Sequence, residues 1–320
     1  MPSDRVAVVR DLTDCQGRVL ARRGDELSAQ AVGEAAARAR PAPARPLSGS
    51  VVAEDVREPF GDPAYRHIFR SPEEQSAAVR ALLAAELPGI LHQELALLRD
   101  QDWPRYRHGI ATALIAARML RAAVGEARAL PDLAGAALLH DMGMRHVRPE
   151  LVRAGVALDR ITALEIASHP VLGAYHLATV LGRHPAVDAA LGHHWRKGRG
   201  YPRLAAPPPR SVEVIAVASG FAALTQARPF RDAPFDARGA TDVLVGDASA
   251  GEADLEAVQL LVHVLRGGRG EARQVVFGRE REGHAPPGNR HAPVARLVAA
   301  GSYPFSCSST PEIRRSVSQE

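Results

Sequence analysis

Cysteine and lysine are the two scarcities of this chain: two cysteines and one lysine, Lys197, stand among 320 residues. Cys15 and Cys307 lie far apart and imply no disulfide framework, and a reduced, cytoplasmic setting is the simplest they predict. Basic positions are filled almost wholly by arginine. No run of about 18 apolar residues occurs, which predicts no membrane span. The start, MPSDRVAVVRD, lacks the hydrophobic region of a secretion signal. The net charge of +4 is a small excess for this length. The arginines are spread among acids, and no helix-turn-helix, zinc-finger or aromatic RNP pattern is visible, so nucleic acid is not an expected partner. Hydrophobic residues make up 46% of the chain, enough for one sizeable core and a small extra module.

What the chain does have is histidine in a particular order. Eight of its 13 histidines fall between His108 and His194. His108 comes first, then the pair His140-Asp141, then His169, then the pair His193-His194, followed by a Gly200-Tyr201-Pro202 turn. Neutral imidazole is a good ligand for iron, manganese or zinc, and a carboxylate suits the harder end of that range. Any one histidine alone reads as an ordinary helix residue; two adjacent pairs at the ends of apolar runs do not.

The surrounding pattern is helical. Residues 106–121 carry a stripe of Ile110, Leu114 and Ala117, with His108 near its start. Residues 133–141 are apolar until their last two positions, so that helix is buried on most sides and its His-Asp end needs a metal or hydrogen bonds. Thr162 and Glu165 have capping-box spacing for a helix that delivers His169. Pro185 opens a helix ending at His193-His194. Residues 211–226 form a last long apolar helix. Ligands from different helices thus converge in a bundle core.

These pieces, with LLHDMGM (138–144), HHWRKGRGYP (193–202) and ARPFR (227–231), resemble the HD-GYP group of the HD metal-dependent phosphohydrolase superfamily over roughly residues 80–268. The resemblance implies an all-α HD-domain helical bundle. It also implies a divalent transition metal, iron or manganese most often, as two or three ions in members of the group and one or two in this chain, and hydrolysis of cyclic di-GMP or a related phosphodiester through a metal-activated hydroxide. Carried over by position, His108, His140, Asp141, His169, His193 and His194 are the implied metal ligands, with Asp141 bridging and His140 and Asp141 at the catalytic heart. Arg228 and Arg231 are the implied phosphate-binding residues, a task suited to the planar guanidinium fork. Gly200, Tyr201 and Pro202 match the surface turn that names the group, and imply a diguanylate cyclase domain as a possible partner.

The chain departs from the family pattern at several positions. Met144 stands where a lysine is usual, Ser219 where an aspartate completes the first metal, Ala222 where a second aspartate follows, Trp195 where a glutamate follows the paired histidines, and Pro104 where some members add a glutamate. The departures imply the alternative of a catalytically weak signalling module that binds a nucleotide or a cyclase domain.

The remaining chain divides by composition. Residues 1–40 read as a small strand-and-helix module, with strands at Arg5–Val9 and Arg18–Ala21 around an Asp14–Gly17 turn and a helix over 27–40. Residues 41–70 read as a linker, residues 71–270 as the helical domain opened by Ser71-Pro72 and Glu74, and residues 271–320 as a poorly ordered tail rich in Pro, Ser and Gly. His92 and His146 read as packing or surface residues.

Overall fold

The computed structural model describes residues 5–148, 159–196, 200–229 and 231–277. Four short strands open the chain: β1 (Arg5–Ala7), β2 (Leu12–Thr13), β3 (Val19–Ala21) and β4 (Glu26–Ser28). They pair antiparallel as β1–β4 and β2–β3, so the Asp14–Gly17 turn closes the second pair while β1 finds its partner further along. Asp14 Oδ1 accepts the Gln16 and Arg18 amides at 3.0 and 2.9 Å, and Gly17 takes φ 79°, the side-chain and glycine chemistry a tight turn needs. Helix α1 (Ala29–Arg38) follows, capped by Ser28. Val6, Leu12 and Leu27 from this module pack on Val171 and Leu172 of the helical body.

The stretch read as a linker is packed. β5 (Ala44–Pro46) pairs with β6 (Glu86–Pro88), and a short helix α2 (Val51–Asp55) follows it. Leu47, Val52, Tyr65 and Ile68 are fully buried in the main core. Their apolar side chains are spaced without helical or strand period, so a Pro- and Ala-rich composition masked them.

The body is all-α: α3 (Pro72–Leu83), α4 (Gly89–Gln101), α5 (Trp103–Val124), α6 (Leu130–Leu139), α7 (Arg160–Ala167), α8 (His169–Leu181), α9 (Pro185–Gly192), α10 (Arg210–Thr225), α11 (Ala237–Ser249) and α12 (Leu255–Leu265). Ser71 Oγ accepts the Glu74 amide and Pro72 takes the first turn, as expected. α5 is the central helix, packed by α3, α4, α6, α10 and α12. The expected stripe is a full sleeve: every residue from His108 to Leu120 is buried. The four alanines among Ala111–Ala117 let neighbouring helices approach on faces that a stripe would leave to water. The one charge in this stretch, Arg118, is matched by Glu74 at 2.7 Å, as a buried cation requires.

Two boundaries differ from the sequence pattern. Asp159, not Thr162, caps α7 by accepting the Thr162 amide, and Glu165 instead binds Arg148. α7 ends at Ala167, and His169 begins α8 as a new helix. The expected tail lies outside the described residues from 278 on, apart from a single turn at Ala272–Gln274. Lys197 and Cys307 also lie outside them. Among the described residues no helix is long and apolar enough to cross a membrane.

Candidate metal centre

Backbone contact between glycines brings the ligand-bearing segments together. The 3₁₀ turn Met142–His146, which follows Asp141, lies against the start of α8. A Cβ on Gly143 would fall 1.9 Å from the His169 carbonyl oxygen, and one on Gly173 would fall 2.7 Å from the Gly143 nitrogen. Only hydrogen fits at both positions, and that contact sets Asp141 beside His169. A Cβ on Gly109 would fall 2.9 Å from the Leu138 carbonyl oxygen, so the same device draws α5 onto α6 and puts His108 beside His140.

Most of these histidines sit where helices end. His140 and His193 are the C-cap residues of α6 and α9, and His169 follows the last turn of α7. The last carbonyls of a helix have no amide partner within it, and here imidazoles take them. Nδ1–H of His140 donates to the Ala137 carbonyl at 2.7 Å, that of His169 to Ile166 at 2.6 Å, and that of His193 to Ala189 and Ala190 at 3.0 Å each. His108 donates from Nδ1 to Gln226 Oε1 at 3.2 Å. With the proton fixed on Nδ1, each ring turns an Nε2 lone pair inward, the arrangement that second-shell partners give to metal-binding histidines.

Those lone pairs converge without enough protons to satisfy them. His169 Nε2 and His193 Nε2 are 3.1 Å apart, and His169 Nε2 is 3.1 Å from Asp141 Oδ1. Ser219 Oγ lies 3.0 Å from His140 Nε2 and 3.3 Å from His108 Nε2, and one hydroxyl proton can serve only one of them. The donor atoms of Asp141, His169, His193 and His194 all lie within 4.8 Å of one another, as do those of His108, His140 and Asp141. Asp141 belongs to both groups. A divalent metal fits this donor set, since facing lone pairs and a carboxylate are stabilised by a cation in their midst.

Electrostatics keep the ligands in their metal-binding forms. Burial pushes His193 below the ordinary imidazole range, His108 and His194 well below it, and His140 to about 4. All four are therefore neutral near pH 7.

The structure brings together all six ligand-type residues expected from the sequence, and treats the other expected site residues differently. The Arg228 charge is felt at His108, His140 and Asp141. Arg231 donates to the Ala223 and Leu224 carbonyls at 2.9 and 3.0 Å and lies over the Phe235 ring; it closes the end of α10. The Gly200-Tyr201-Pro202 turn is not the expected surface feature. Tyr201 and Pro202 are buried, and the Tyr201 ring stacks on His194 with centroids 4.6 Å apart. A Cβ on Gly200 would fall 2.3 Å from the His194 carbonyl oxygen, so the turn folds back onto a ligand. Met144 and Ala222 are buried apolar side chains.

Some functional partners escaped the sequence reading. Gln226, which orients His108, is the residue just past α10 and has no motif of its own. His146, expected at the surface, is buried with His176 at 3.2 Å. His92 is a packing residue whose Nε2 meets the Arg45 and Leu87 carbonyls.

Comparison with known proteins agrees with this geometry. The HD domain family matches residues 105–224, a span that contains His108, His140, Asp141, His169, His193, His194 and Ser219. Over 128 residues the chain is 31% identical to the 3'3'-cGAMP-specific phosphodiesterase 1 of Vibrio cholerae serotype O1. That stretch is 39% of this chain and 30% of the relative, so the chain spans under a third of the length of the curated relative it matches. The paired His140-Asp141 and the imidazoles gathered about them all lie within residues 105–224, the stretch of the chain that matches the HD domain family.

Proposed function

We propose that this chain is a phosphodiesterase of the HD-GYP type that opens a cyclic dinucleotide, cyclic di-GMP or a relative such as 3'3'-cGAMP, in a cytoplasmic setting. The observation that carries this reading is the convergence of imidazole Nε2 lone pairs on a shared carboxylate, Asp141. His169, His193 and His194 with Asp141, and His108 and His140 with the same Asp141, are the residues that would hold divalent iron or manganese. When bound, such ions polarise a phosphate and lower the pKa of water enough to supply a nucleophile at neutral pH. The protein's own part is to position and to exclude water. The carbonyls of Ala137, Ile166 and Ala189 fix the rings, the Tyr201 ring covers His194, and the Arg228 guanidinium offers a bidentate partner to a substrate phosphate. The named activity of the Vibrio relative supports the substrate class.

A second reading is favoured by Ser219, a neutral hydroxyl between His108 and His140, and by apolar Met144. In it the domain cuts slowly and serves as a signalling module that binds a nucleotide or a diguanylate cyclase domain.

The test is turnover of cyclic di-GMP and of 3'3'-cGAMP by the full chain. The protein is purified anaerobically and supplied with manganese or ferrous iron, and products are resolved by chromatography. The enzyme reading expects the linear dinucleotide. Stoichiometric metal with neither substrate cut overturns it in favour of the signalling module; protein that takes up no metal overturns the metal reading altogether.

A further inference from the structure

The two ligand groups are not equivalent. One has Asp141, His169, His193 and His194; the other has His108, His140 and the same Asp141. Asp141 is the single carboxylate of both, so the second group adds two neutral imidazoles and no charge of its own. The residue that closes it is Ser219, whose Oγ occupies hydrogen-bonding positions on both Nε2 atoms at 3.0 and 3.3 Å. An incoming cation must displace those hydrogen bonds. In the first group the His169 and His193 Nε2 atoms face each other at 3.1 Å with both ring protons committed to carbonyls, so nothing is lost when a cation enters.

We propose that the two groups bind cations unequally. Asp141, His169, His193 and His194 hold one ion tightly, while the His108–His140 half, closed by Ser219, takes a second only at much higher metal concentration. This inference rests on the metal-dependent reading above and deepens it. The site named by the His-Asp pair is, in this chain, the weaker of the two on its His108 side.

The experiment is a manganese titration of the full chain after chelator treatment, with free Mn²⁺ followed by its electron paramagnetic resonance signal. The expected isotherm has one tight equivalent and a second that is weaker by about a hundredfold, the scale on which lost charge and outer-shell contacts change metal affinity. Ser219→Asp should tighten the second step by about tenfold or more and leave the first unchanged. Ser219→Asn, of the same size without the charge, should not tighten it. His193→Gln should remove the tight step and spare the weak one. His108→Gln should remove the second step and leave the first, and it serves as the independent variant if Ser219→Asp does not fold. Two steps of equal affinity in the unmodified protein overturn the inference while leaving the metal-dependent reading intact. So does a second step that neither Ser219→Asp nor His108→Gln changes. The absence of any bound manganese overturns the metal-dependent reading itself.

Discussion

Two clusters of buried histidine lie on either side of the Gly143–Gly173 contact, and they behave as opposites. In the metal centre every resolved Nδ1–H of His108, His140, His169 and His193 is committed to an oxygen, so the Nε2 atoms meet with lone pairs facing. In the other cluster His146 Nε2 meets His176 Nδ1 at 3.2 Å, and His176 Nε2 faces Glu94 at 3.6 Å. One ring proton serves between the two imidazoles there. Glu94, itself 2% exposed, is matched by Arg145 and by the Cys15 amide at 2.8 Å. That cluster ties the amino-terminal module to the turn that follows Asp141. Among the described residues only the groups sharing Asp141 gather ligand atoms from three or more histidine, cysteine or acidic residues, all within 4.8 Å of one another. Burial alone does not make histidine a ligand; which nitrogen holds the proton decides it.

The contrast can be broken most severely at its carboxylate. Asp141→Asn should abolish stoichiometric metal and cut phosphodiester hydrolysis by about a thousandfold, the several kcal/mol that metal chemistry supplies, while circular dichroism stays native. Next in size is Glu94→Leu, which leaves Arg145 without its anion. Removing one member of a buried ion pair costs roughly 3–5 kcal/mol; Arg145 is about a quarter exposed, so a loss near ~2 kcal/mol in denaturant unfolding is expected, with metal content unchanged. Loss of metal in that variant would show that the two clusters are one unit. Gln226→Leu removes the acceptor that fixes the His108 tautomer. It should weaken metal binding by about tenfold, the lower end for an outer-shell partner, measured by competition with a chelator.

The smallest effect is a change in pH dependence. Burial, with help from Arg145, lowers His176 to about 3. Its unfolded counterpart takes a proton near 6.5. Acid therefore favours the unfolded chain: the contribution is whole above that value and is lost as pH falls from about 6.5 toward 3. His176→Leu should flatten the fall in stability of the metal-free protein across that window. A slope equal to that of the unmodified chain would mean that His176 is not buried neutral as described.

The residues that gather about Asp141 were legible because the chemistry proposed for them also marks them. His140-Asp141 and His193-His194 end apolar helices, and polar pairs at such places stand out against the hydrophobic pattern. Ser219 and Met144 were legible only as departures from a family pattern. What the sequence hid is set by approach distance and proton bookkeeping. Nothing in the chain names the Ala137 or Ile166 carbonyl as an acceptor, and Gln226 carries no motif. The burial of Tyr201 depends on Gly200 permitting a backbone fold-back, which a three-residue turn does not announce. The full sleeve around α5 escaped because alanine is as common on exposed helix faces as on closely packed ones.

The glycine contact beneath the metal centre has a consequence for how this protein tolerates change. Because main chain rests on main chain there, the placement of Asp141 against His169 does not depend on how surrounding side chains fill their space. Volume can be redistributed among nearby core residues with the ligand spacing preserved, so the centre is insulated from sequence drift around it. The same insulation makes Gly143 and Gly173 two positions where drift has no room at all.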